Sequence, residues 1–209
     1  MPNLVKIDEL TIQDHTYLSL DSDECYYFFN YTSRKGFSYS KENSLISNLK
    51  KCPSKKGQAQ YQYKLSAIKT ISSYFNDIFD DEALKTITFV PIPPSKNKSD
   101  DLYDDRMLQI LKIGFNGRDA DIRELVEQIE SKEASHISDV RPTIQEIKSN
   151  LKINTELSKN LKDVVFIIDD VLTTGAHFKA VKSLLNSTFP NCRVIGVFIC
   201  RREIDFTEN

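Results

Sequence analysis

The chain has 209 residues, 40% of them hydrophobic and 28% charged, with a formal net charge of −2. That is one generous globular domain, or a domain with an elaborated N-terminal part, large enough to bury a core without covalent staples. Neither sign of charge dominates, which argues against bulk electrostatic binding of nucleic acid and leaves only a local basic patch open.

The four cysteines, Cys25, Cys52, Cys192 and Cys200, form no CxxC pair, so neither a zinc site nor a disulfide framework is expected. Cys200 lies in an apolar run and reads as a small buried hydrophobe. The N-terminus, MPNLVKIDEL, has no apolar signal core, and no run approaches 18 consecutive apolar residues. A reduced, cytoplasmic setting without a membrane span is the expectation.

In chain order, CYYFFNY (Cys25–Tyr31) is aromatic and β-prone, and Gly36 marks a turn. NSLISNLKK (Asn43–Lys51) reads as a short helix capped at Asn43 or Ser44, and KKCPSKKG (Lys50–Gly57) as a basic exposed loop. Gln60–Phe79 is a helix by spacing, with Leu65, Ile68, Ile71, Phe75 and Ile78 on one face. TITFVPIP (Thr86–Pro93) is a strand ending in prolines, followed by a polar loop over residues 94–105. Helical spacing resumes over Arg106–Ile113, and a further helix is expected over Asp121–Ile129. Ser131–Pro142 is irregular, and a short helix over Thr143–Asn150 follows. Val164–Ile168 is a strand, Gly175–Leu185 a helix and Val194–Cys200 a last strand. Short apolar strands alternating with helices indicate an α/β fold with a parallel sheet covered on both faces. From about residue 86 the chain is therefore α/β, and residues 1–85 look like an appended α+β segment.

The densest chemical signal is VVFIIDDVLTTGAHF, Val164–Phe178. Ligands of open α/β sheets bind at the carboxyl ends of strands, and with the strand ending at Ile168, Asp169–Gly175 occupy that edge. Gly175 permits a tight backbone approach, Thr173 and Thr174 offer hydroxyls, and the N-terminus of the next helix attracts an anion. Two carboxylates beside a bound phosphate must face something else, and sugar hydroxyls are donors that suit them. One edge thus fits a ribose 5-phosphate unit. An acidic pair exposed at a plain strand–helix turn, or a metal-binding acidic strand end, would leave a similar trace, although no Walker A lysine loop accompanies it.

This stretch resembles the phosphoribosyl-pyrophosphate motif of type I phosphoribosyltransferases, a hydrophobic strand, two acids and Thr-Thr-Gly. Val90, Pro91 and Pro93 are similar to the Val-Pro-x-Pro run of the ComF-like branch, and LISNLKK (Leu45–Lys51) to a segment that precedes it. The resemblance implies a phosphoribosyltransferase-like core over residues 86–209 with residues 1–85 as an N-terminal hood. It implies that Asp169 and Asp170 hold the ribose hydroxyls and a magnesium ion, with Thr173, Thr174, Gly175, Ala176 and His177 around the phosphate. The motif departs at His177, where Thr or Ser is usual. Ser95, Lys96, Lys98 and Arg106, in the loop after the proline strand, would meet the pyrophosphate. The acidic insert Asp100, Asp101, Asp104 and Asp105 either helps hold magnesium or is solvated. In that family a catalytic loop precedes the motif strand. Lys132, His136 and Arg141 are its candidates, Arg141 matching best.

The activity so implied is transfer of ribosyl phosphate from phosphoribosyl pyrophosphate to an unidentified nitrogen acceptor. The alternatives are a non-catalytic sensor of the same ligand, or an accessory protein in DNA uptake or defence. Tyr26, Tyr27, Phe28, Phe29 and Tyr31 either stack on an acceptor base or fill core. Arg202 either pairs with an acid near the site or lies on the surface. Homo-oligomer formation stays open.

Overall fold

The computed structural model describes residues 3–132 and 142–203. In chain order its elements are β1 (Val5–Lys6), β2 (Cys25–Thr32), α1 (Lys41–Leu49), α2 (Gln62–Ile78), α3 (Asp81–Thr86), β3 (Ile87–Pro91), α4 (Arg106–Gly114), β4 (Asp121–Ile122), β5 (Val126–Gln128), α5 (Ile144–Ser149), β6 (Leu151–Ile153), β7 (Val164–Leu172), α6 (Ala176–Thr188) and β8 (Arg193–Glu203). Six strands form one sheet in the order β1-β2-β8-β7-β3-β4, parallel except where β1 meets β2. β5 and β6 make a separate antiparallel pair.

Each face of the sheet is covered. Ile46, Leu49, Ile68, Ile71, Leu84 and Leu111, from α1 to α4, seal one side. Ile147, Phe178, Val181 and Leu185, from α5 and α6, seal the other. The first side is rich in rings: Phe79 meets Phe89 edge-on at 5.3 Å and Phe166 at 5.7 Å, and Phe115 lies 4.9 Å from Phe89. Each such pair adds about 1 kcal/mol beyond its buried area. Cys25 and Cys200 are buried as small hydrophobes. Among the described residues no helix is long and apolar enough to cross a membrane.

Five local expectations change. The cap of α1 is Ser40, whose side chain accepts from the Asn43 amide, and not Asn43 or Ser44, which lie inside the helix. Asp121–Ile129 is not a helix. Ile122, Leu125 and Val126 have helical spacing, yet β4 pairs with β3 and β5 with β6, and both Leu125 and Val126 are buried. Tertiary pairing overrides a short periodic signal. The buried face of α2 runs through Lys64, Ala67, Ile68, Ile71 and Phe75, so Leu65 is exposed and a lysine takes its place inside. The strand of the acid pair does not end at Ile168, because β8 continues beside it and draws it out to Leu172. Finally, β2 pairs in parallel with β8 from Cys25↔Gly196 to Thr32↔Glu203. Residue 85 marks no break in the sheet, and the segment expected as a hood supplies an interior strand.

Candidate functional site

β7 carries Asp169 and Asp170 as strand residues and then turns through Thr173–Gly175 into α6. Gly175 precedes the helix at φ 86°, a left-handed conformation that suits glycine. Its Cα also faces Leu18 so closely that an added Cβ would sit 2.8 Å from the leucine side chain.

That leucine belongs to a strap from the N-terminal segment. The carbonyl of Thr173 accepts from His15 Nδ1 at 2.5 Å, and that of Thr174 from the Tyr17 amide at 2.9 Å. A carbonyl can only accept, so Nδ1 carries the proton. Burial lowers the proton affinity of His15, against the pull of the Thr173 carbonyl. The carbonyl and N–H of a trans peptide point in opposite directions, and no described bond is cis. Carbonyls bound to the strap therefore turn the amides of Thr174 and Gly175 away from it. The amides of Thr173, Thr174, Gly175 and His177 donate to no backbone acceptor among the described residues. A row of unspent donors at a helix N-terminus is an anion cradle.

Beside this cradle stands a chain of alternating charges. Asp170 is buried, and its carboxylate accepts from Arg106 at 2.5 and 3.1 Å and pairs with Lys50 at 3.3 Å. Arg106 also binds Asp104 at 2.6 Å, and Asp104 takes Lys64 at 2.6 Å. Lys64 is fully buried and donates in addition to the Lys51 carbonyl at 2.8 Å. The charges are thus satisfied in sequence from α2 to β7, as buried ions require. Burial would raise the Asp170 carboxyl, but Lys50 and Arg106 outweigh it and hold the group below the usual carboxylate range. Asp169 goes the other way. Burial first, and the neighbouring Asp170 charge second, push it up to about 7, while its Oδ1 accepts from the Asp170 amide at 2.8 Å. His177, on the first turn of α6, is lowered by burial against the pull of Asp170.

The structure brings Asp169, Asp170, Arg106, His177 and the Thr173–Ala176 turn together. Lys96 and Lys98 each have a carboxylate close by. Lys96 lies 4.0 Å from Asp100, and Lys98 pairs with Glu127 at 3.0 Å and Glu124 at 3.4 Å. Ser95 contributes its carbonyl to the Lys132 amide at 2.8 Å. Arg141 and His136 lie outside the described residues. Arg201 pairs with Asp14 at 2.9 Å, and Arg202 reaches the Asp14 carbonyl at 3.4 Å. Tyr27 and Phe28 are core.

Sequence reasoning missed Lys50, Lys64 and Asp104 as members of the charge chain and His15 as a brace of the turn. Only Lys64 left a trace, as a lysine in register with Ala67, Ile68 and Ile71 on an apolar helix face. No group of three or more His, Cys, Asp or Glu side chains among the described residues could hold a metal ion, and Asp104 and Asp170 are already neutralised by cations. No family model matches the chain, and no curated protein matches it.

Proposed function

We propose that the protein binds phosphoribosyl pyrophosphate at the β7–α6 turn and transfers its ribosyl phosphate to a nitrogen acceptor. The observation that carries this reading is the Thr173–Gly175 turn: the Thr173 and Thr174 carbonyls are spent on the strap, while the turn's amides donate to no backbone acceptor among the described residues, immediately after an acid pair. The 5-phosphate takes the amides and the Thr173 and Thr174 hydroxyls. The ribose hydroxyls donate to Asp169 and Asp170.

The diphosphate is a strong anion and competes with Asp170 for Arg106 and Lys50. Its arrival frees the Asp170 carboxylate for the sugar while the two cations turn to the leaving group. The acceptor nitrogen attacks C1, the bond from C1 to the pyrophosphate oxygen breaks, and its electron pair departs with pyrophosphate. The protein positions the reactants and balances the charge that develops on ring and leaving group. Magnesium comes with the diphosphate and belongs to the substrate complex.

A second reading is a sensor that binds the same ligand without transfer. The Lys50–Asp170 pair favours it, because ligand binding at β7 would release the end of α1. Calorimetric titration of phosphoribosyl pyrophosphate with magnesium tests the shared premise, on wild type, Asp169→Asn and the Asp169→Asn/Asp170→Asn double variant. Micromolar binding to the wild type, weakened at least tenfold by Asp169→Asn alone, is the expected outcome. No heat with the wild type overturns both readings. Pyrophosphate release on adding nucleobases then separates transferase from sensor.

A further inference from the structure

One stretch of this chain is strongly net positive, because acids are scarce in it. Between Ser33 and Asn76 stand nine lysines and arginines and a single acid, Glu42, in a protein of net charge −2. Lys50 and Lys64 turn to Asp170 and Asp104, and the other seven stand in and around α1 and α2, which pack side by side and leave an open groove lined by Lys41, Ser44, Asn48, Tyr63, Ser66 and Thr70. Arg34, Lys41, Lys55, Lys56 and Lys69 pair with no carboxylate among the described residues, and all five are exposed. Unpaired cations close together in the chain raise the local potential and draw in a polyanion.

Rings stand among these cations. Phe37, Tyr39 and Tyr63 are 69%, 53% and 54% exposed. The Lys35 ammonium lies 5.7 Å from the centre of the Tyr39 ring, at the start of α1, and that of Lys51 5.6 Å from Tyr63, at its end. Exposed rings have no use to a duplex, whose base faces are hidden, or to an acidic polypeptide, which offers little to stack. We propose that the α1–α2 face binds single-stranded nucleic acid, the cations taking phosphates and the rings stacking on unpaired bases. The surface does not depend on the sugar-phosphate site, since it uses none of the side chains assigned there.

The test is fluorescence anisotropy of a labelled single-stranded 20-mer, as DNA and as RNA. A duplex of equal length, heparin and polyglutamate serve as competitors, over 50–300 mM salt. The expected result is tighter binding of the single strand than of any competitor, with a log–log salt slope of about −3 if four phosphates are neutralised at roughly −0.7 each. Lys41→Glu/Lys69→Glu is expected to weaken the single strand at least tenfold. Phe37→Ala/Tyr63→Ala is expected to weaken it about tenfold while leaving heparin affinity unchanged. All four positions are exposed, so an unchanged Tm verifies the fold of each variant. No binding at 50 mM salt overturns the proposal. So does equal affinity for duplex, heparin or polyglutamate, and so does a single-strand affinity that ignores the loss of the rings.

Discussion

Two adjacent carboxylates on one strand hold opposite protonation tendencies, and the cause is which neighbours each has. Asp170 has Arg106 and Lys50 within hydrogen-bonding or ion-pair distance, whereas Asp169 has burial and its neighbour's charge against it. The two therefore shape stability in opposite pH windows. An unfolded aspartate titrates near ~3.9. Between there and about 7 the unfolded chain has lost the Asp169 proton while the folded chain keeps it, so stability falls as pH rises through that window. Asp170 is depressed, so its contribution is present above ~3.9 and lost as pH falls through its lower folded value. Asp169→Asn removes the first cost. Its stability in urea denaturation is expected to gain on wild type from pH 4 to 7, by at most about 1.4 kcal/mol per pH unit, and to stay level above that. A difference independent of pH would show that Asp169 is not held protonated. Asp170→Asn at pH 7 is expected to cost about 2 kcal/mol. That is less than the ~3–5 for a fully buried pair, because Lys50 is 43% exposed.

At the scale of elements, the site is a junction between β7, α6 and a strap that lies far away in sequence. His15, Tyr17 and Leu18 hold the turn from outside, and Gly175 is the point at which they come closest. Gly175→Ala puts a side chain at φ 86° and presses it against Leu18. The expected cost is about 2 kcal/mol in urea denaturation, with weaker phosphoribosyl pyrophosphate binding as the strap is pushed off the turn. Loss below ~0.5 kcal/mol with full binding would mean that the strap does not hold the turn. These elements were legible in unequal measure. The strand, glycine turn and helix of Val164–Phe178 could be read because local chemistry dictates them: β-branched and aromatic residues, then hydroxyls, then glycine. The short strands β4 and β5 could not, because three apolar residues at helical spacing satisfy either structure until a pairing partner decides. Asp170's partners were half legible. Arg106 stood out as a loop cation, but its turning toward β7 rather than outward depends on Asp104 and Lys64, which only the packing of α2 on α4 brings near.

For the molecule as a whole, the question is whether residues 86–209 make a domain with an appendage before it. The sheet argues otherwise. β8 lies between β7 and β2, and its residues Val194–Arg201 are buried. Removing residues 1–85 strips β2 from its edge and leaves a long row of unpaired backbone groups, which is both a loss of stability and a template for aggregation. It also takes away α1 and α2, whose Ile46, Leu49, Ile68, Ile71 and Phe75 cover one face of the sheet. Lys50 and Lys64 go with them, leaving Asp170 with Arg106 alone and Asp104 without its lysine. A fragment of residues 86–209 is therefore expected to lack a cooperative unfolding transition and to lose near-ultraviolet circular dichroism, as a collapsed but unpacked chain does. Co-expression with residues 1–85 as a separate chain is expected to restore both, since the missing strand and helices return by pairing with β8 and packing on its face. A fragment that unfolds cooperatively by itself would show that the C-terminal strands close their own core, and that the N-terminal segment is an addition to it.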